Sequence, residues 1–218
     1  MEPQVLFSDP ALAVLVKPVG MPSQPDPSGA LSVLDWVREH LPGPEPHPVQ
    51  RLDRPAAGVL AVARGRRAAA ELFRQFRERE VDKRYLALVE GFEALPGPRG
   101  RMEHHLVHDA RRNLSRVHAE PVPGSKPALL EYRVLKTGKT RALVEVQLLT
   151  GRHHQVRAQF GFLGCPLAGD GKYGASRPLR GGGIALFASH LGLRHPLSGK
   201  RMDFEARPSG RIWEPFLD

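Results

Sequence analysis

With 32 lysines and arginines against 23 acidic residues in 218, the chain carries a net charge of +9, and a polyanion such as RNA, DNA or an anionic membrane is the partner its charge favours. The single cysteine, Cys165, excludes a disulfide framework and a cysteine-rich zinc site and fits a reducing cytoplasm. No stretch approaches the roughly 18 uninterrupted apolar residues of a membrane span, no secretory leader is legible, and the length suits one α+β domain, the favoured reading, or two lobes sharing a cleft.

Residues 5–7 and the alternating 11–17 read as a hairpin around Ser8-Asp9-Pro10. Lys17-Pro18 then opens a proline-punctuated loop to Gly29, extended enough to approach a ligand. Leu31, Leu34, Val37 and Leu41 share one face, which predicts a helix over 31–41 with Ser28 placed to cap it. Next comes Pro48 to Gly58, where Asp53 stands between Arg51 and Arg54 just before the apolar run 59–63, a buried strand by its composition. Two guanidinium neighbours would keep Asp53 an ionised, acceptor-only group, fit to serve as a nucleophile or an electrostatic partner. A surface loop with solvated charges is the plainer reading of the same stretch.

A helix is predicted over 66–79, with Ala69, Leu72, Phe73 and Phe76 as its apolar stripe. Its arginines 67, 74, 77 and 79 either meet phosphate or are balanced by Glu71, Glu78 and Glu80. Alternation over 83–90 places Tyr85, Ala87 and Val89 on one side of a strand, and a core tyrosine with a satisfied hydroxyl is the ordinary outcome there. Residues 91–100 are turn-rich. The hydrophilic, basic region up to Lys126, with Arg111, Arg112 and Arg116 near His104, His105, His108 and His118, is expected to face solvent or nucleic acid. His105 and His108 lack a specified third ligand, so no metal is assigned. Residues 129–135 and 141–149 form a hairpin around Thr137-Gly138-Lys139, and Val156, Phe160 and Leu163 then predict a short helix. The first turn of that helix, rich in cationic and hydrogen-bonding residues, is a second anion-binding candidate. After the tight turn 169–174, residues 184–193 and 201–205 flank His195 to Lys200 as a last hairpin.

Taken in order, Val14-Leu15-Val16-Lys17-Pro18-Val19-Gly20, Arg51-Leu52-Asp53 with Gly58, Lys83-Arg84-Tyr85, Gly151-Arg152-His153-His154-Gln155-Val156-Arg157, Gly169-Asp170 with Tyr173-Gly174, and His195-Pro196 resemble the RluA-like pseudouridine synthases over nearly the whole chain. The resemblance implies an α+β fold with a mixed, largely antiparallel central sheet flanked by helices and loops. It implies a single catalytic domain over 1–218 without a separate amino-terminal RNA-binding domain. Asp53 is then the catalytic aspartate, Tyr85 packs against the target base, and Arg157 pairs with Asp53. Arg51, Arg54, Arg152, His154 and Gln155 are the expected substrate contacts. Ribosomal or transfer RNA is the partner, with no cofactor, no metal, no membrane and no obligate protein partner; a cytoplasmic monomer is expected. Gln50, Ala56-Ala57 and Gln159 depart from the family pattern and bear on loop hydrogen bonds and substrate preference. A non-catalytic RNA-binding protein on the same fold is the alternative, and a glycosidase is disfavoured because Asp170 is the only motif-associated second carboxylate.

Overall fold

In the computed structural model, residues 2–217 are described. Period-two alternation and turn chemistry give β1 (Gln4–Ser8) and β2 (Leu12–Lys17), then α1 (Val33–His40), β3 (Pro46–Pro48), β4 (Ala57–Arg64) and α2 (Arg66–Arg77). They are followed by β5 (Asp82–Glu90), β6 (Arg99–Asp109), β7 (Leu114–His118), β8 (Lys126–Thr137), β9 (Arg141–Leu148), α3 (Gln155–Phe162), β10 (Leu186–Arg194), β11 (Arg201–Glu205) and α4 (Glu214–Leu217). The fold is α+β, with mixed, mostly antiparallel strand pairing. It divides into two compact units, one up to residue 83 together with 187–208, the other 84–186 together with the segment from 209.

In the first unit the strands run β1-β2-β4-β10-β11, with β3 also on β4, and only the β4–β10 pairing is parallel. Gly58 is required at that pairing. It sits at φ +121°, and a Cβ there would lie 2.4 Å from the Ala188 backbone, so any side chain would push β4 off β10. Leu12, Val14, Val59, Ala61, Ala63, Ala69, Leu72, Leu191 and Leu193 form the core beneath α2. His195 ties the first and last hairpins together. Its Nε2 lies 2.8 Å from Asp9 Oδ2, while Asp9 Oδ1 accepts the backbone N–H groups of Ala11 and Leu12.

The second unit is antiparallel throughout, ordered β5-β9-β8-β6-β7. The β8–β9 and β10–β11 hairpins match the sequence reading. Other details differ. The first helix starts later than expected because Ser32, not Ser28, is its cap: Ser32 and Asp35 exchange a reciprocal capping box, whereas Ser28 bonds Asp26 in the preceding turn. In α2 the inward face is Ala68, Ala69, Leu72 and Gln75, and Phe73 is 51% exposed. Gln75 takes the inner place because its amide satisfies both the N–H and the C=O of Arg194. Arg74 is held by Glu71, Glu78 and Glu80, which makes that helix face a self-balanced one rather than a phosphate site. The segment read as hydrophilic and facing solvent or nucleic acid contains the β6–β7 hairpin, anchored by buried Met102, Leu106 and Ser115.

Candidate active site

Asp53 lies half-buried in the loop before β4, and its neighbour Arg51 is exposed. The loop is laced to residues 18–29. Ser23 Oγ bonds both the carbonyl and the N–H of Leu52, and Gly20 N–H donates to the Arg54 carbonyl at 2.8 Å. Arg54 turns its guanidinium to the 18–29 segment: it donates to the Gly20 carbonyl and the Ser28 hydroxyl, each at 2.9 Å, and lies 3.6 Å from Asp26. The proline-rich segment therefore acts first as a brace for the Asp53 loop.

Under that brace lies Lys17, fully buried, which the sequence reading placed in a motif without giving it a task. Its Nζ donates to the carbonyls of Met21 (2.8 Å), Pro18 (3.0 Å) and Arg54 (3.4 Å), so it joins the strand end to both loops. Burial pushes its pKa down from 10.5 to about 7, against the opposing pull of the Asp53 charge. The folded state thus binds fewer protons than the unfolded chain between about pH 7 and 10.5, and stability from this group rises with pH across that window. Lys17→Met should lower stability, because buried carbonyls lose their donor, and should flatten the slope of stability against pH. Urea midpoints of parent and variant at intervals from pH 7 to 10 measure both effects. A slope identical in the two proteins would show that Lys17 does not titrate there.

In the second unit, Tyr85 is on β5, 8% exposed and opposite Val146 of β9. Thr150 to Arg157 forms the entry to α3. Gln155 is 3% exposed, and its amide is spent inside the chain: Oε1 accepts from Thr150 Oγ1 and Arg152 N–H, and Nε2 donates to the Leu129 carbonyl. Arg152 donates to the Pro127 carbonyl from a partly exposed position. His154, buried and at φ +52°, bonds Tyr173 Oη through Nδ1 at 2.9 Å. These three expected substrate contacts first hold the turn that presents α3. Gln159, a departure noted in the sequence, reaches the Ala128 carbonyl at 3.2 Å and His104 Nδ1 at 3.0 Å, which seats α3 on the strands.

Arg157 is 3% exposed and forms a bidentate pair with Asp170, 1% exposed, through Nε–Oδ2 at 2.6 Å and Nη2–Oδ1 at 2.9 Å. The Tyr173 ring lies 5.2 Å from the same guanidinium. Asp170 as an anchor of Arg157 was not read from the sequence. The fork geometry fixes the plane and direction of the arginine, which a lysine could not reproduce. Among the described residues no group of three or more His, Cys, Asp or Glu side chains is arranged to hold a metal ion.

A family model described as RNA pseudouridylate synthase matches residues 11–161, a span that contains Asp53, Tyr85 and Arg157. Ribosomal large subunit pseudouridine synthase D of Zymomonas mobilis subsp. mobilis is 33% identical, over 93% of this chain and 68% of its own. Dual-specificity RNA pseudouridine synthase RluA of Salmonella typhi is 35% identical, over 92% and 91%. The solved structure of human RNA Pseudouridylate Synthase Domain Containing 1 covers 100% of this chain, with 86% of its own chain matched, at a TM-score of 0.78 and 26% identity.

Proposed function

The chain belongs to the RNA pseudouridylate synthase family and is an isomerase acting on RNA, and from that premise we propose that it converts chosen uridines of ribosomal or transfer RNA to pseudouridine through the Asp53 carboxylate. What supports the reading is the family match, whose span of residues 11–161 takes in Asp53, Tyr85 and Arg157.

The reaction breaks the C1′–N1 glycosidic bond, turns the uracil, and joins C1′ to C5; the C5 proton is lost and N1 gains one, so product and substrate are isomers and no co-reactant is consumed. A carboxylate near both sugar and base is the one reactive group this needs. The detached uracil has to be retained, and the flat ring of Tyr85 is suited to hold it by stacking. In this reading Arg157, its plane set by Asp170, is the cation paired with Asp53, and Arg51 and Arg152 contribute positive charge toward RNA. The target base leaves its stack or comes from a single strand. The chain acts as one catalytic domain, a monomer in the cytoplasm that requires neither cofactor nor metal.

Incubation of the purified protein with unmodified ribosomal and transfer RNA, followed by mapping of pseudouridine, tests the proposal. Pseudouridine at defined positions, insensitive to a chelator, is the expected result. Bound but unmodified RNA would make the chain a binding protein on this fold, and activity lost to chelator and restored by zinc would overturn the metal-free chemistry.

A further inference from the structure

The β6–β7 hairpin meets the α3 entry through a column of imidazole rings. His154 stacks on His153 with centroids 3.7 Å apart and planes at 25°, and His153 meets His108 at 4.0 Å and 38°. Tyr173 closes the inner end, edge-on to His154, and its oxygen accepts the Ser115 backbone N–H at 2.8 Å. The same oxygen lies 2.9 Å from His154 Nδ1; burial first, then the nearby Arg157, His153, Lys172 and His108, drives the pKa of His154 down to about 2. The middle ring is gripped on both edges. His153 Nδ1 lies 3.1 Å from Ser115 Oγ and Nε2 lies 3.1 Å from Asn113 Oδ1, while Lys172 Nζ donates to the Asn113 carbonyl.

Burial decreases outward along the column, from buried His154 through half-buried His153 to exposed His108. A solitary histidine on a strand surface would be a solvated, mobile side chain. This one is backed by two ordered rings, so presenting its outer face costs little further side-chain entropy. The rim is basic: Arg111, Arg112 and Lys172 are exposed, and the nearby Asp109 is engaged with the Arg112 N–H and with Arg116. A rigid aromatic face rimmed by cations matches an unpaired nucleobase and its phosphates better than it matches a protein surface.

We propose that His108 is a stacking platform for an unpaired base of the RNA substrate other than the target uridine, with Arg111, Arg112 and Lys172 taking the adjoining phosphates. The inference rests on the reading that the chain acts on RNA, and it adds a substrate-binding contact to that reading. His108→Leu keeps bulk but removes the flat face, and His108→Phe keeps the face but removes the ring nitrogens. With a fluorescein-labelled single-stranded oligoribonucleotide of mixed sequence at fixed salt, His108→Leu should bind at least about fivefold more weakly, and His108→Phe within about twofold of the parent. Equal binding by the leucine variant, or an equal loss in the phenylalanine variant, overturns the platform. His108→Trp gives a second reading should the leucine variant fail to fold: RNA addition should quench its added emission, and unchanged emission overturns the proposal. Binding is read without turnover, so an inactive parent that loses affinity in His108→Leu sinks the proposed reaction alone. An active parent matched in affinity by His108→Leu sinks the platform alone.

Discussion

Replacing Asp53 with asparagine should reduce pseudouridine formation by about four orders of magnitude or more, the scale of loss seen when an enzyme loses the side chain that does its chemistry. The exchange preserves shape and removes the charge. Ser23, Gly20 and Lys17 hydrogen-bond the loop at backbone groups of Leu52 and Arg54, so these braces should persist. The variant is accordingly expected to fold and to bind RNA. It also carries an internal check. The Asp53 charge supports the ammonium form of buried Lys17, so its removal should lower the Lys17 pKa further and move the lower edge of the pH-dependent stability window below pH 7. Single-turnover assays, RNA affinity and urea midpoints on one preparation decide the matter. Near-parental single-turnover activity would refute the role of Asp53.

What was legible in the sequence was whatever is encoded locally. Alternation over 83–90 put Tyr85 on a strand, and paired alternating runs located the β8–β9 and β10–β11 hairpins. Local rules failed where two residues could do the same job. Ser28 and Ser32 are both competent caps, and only Ser32 has Asp35 at the spacing that returns the bond. Phe73 is more apolar than Gln75, yet Gln75 is buried because a β10 backbone edge needs a donor and an acceptor at that point. The β6–β7 hairpin was hidden because its few inward residues stand among arginines and histidines that face outward. Its positive charge was legible; its strand pairing was not. Asp53, Tyr85 and Arg157 were singled out through ordered motifs, whereas Lys17 beneath the loop, Asp170 behind Arg157 and the imidazole column depend on side-chain contacts that cross from one segment to another. No periodicity records such contacts.

The Arg157–Asp170 pair is the place where a single conservative change should cost the most stability. Both side chains are almost wholly withdrawn from water, so neither charge is supported by solvent, and breaking a buried pair of this kind costs about 3–5 kcal/mol. For a chain of this size that corresponds to a fall in melting temperature of roughly 10 °C for Asp170→Asn. Arg157→Met should fall comparably, since it strands the Asp170 carboxylate, and it should also lose turnover if Arg157 steadies Asp53. The double variant Arg157→Met/Asp170→Asn should be more stable than the sum of the two losses predicts, because neither charge remains. Asp53→Asn provides the comparison. If Asp170 is the principal anchor of Arg157, Asp53→Asn leaves the melting temperature within a few degrees of the parent, on the scale of about 1 kcal/mol or less. A large loss in Asp53→Asn with little in Asp170→Asn would instead make Asp53 the main support of Arg157 and reduce Asp170 to a spectator. Arg157→Lys separates charge from geometry: a lysine retains the cation but cannot form the two-pronged bond, so a variant that keeps most of its stability yet loses turnover would show that the plane set by Asp170 is what the reaction uses.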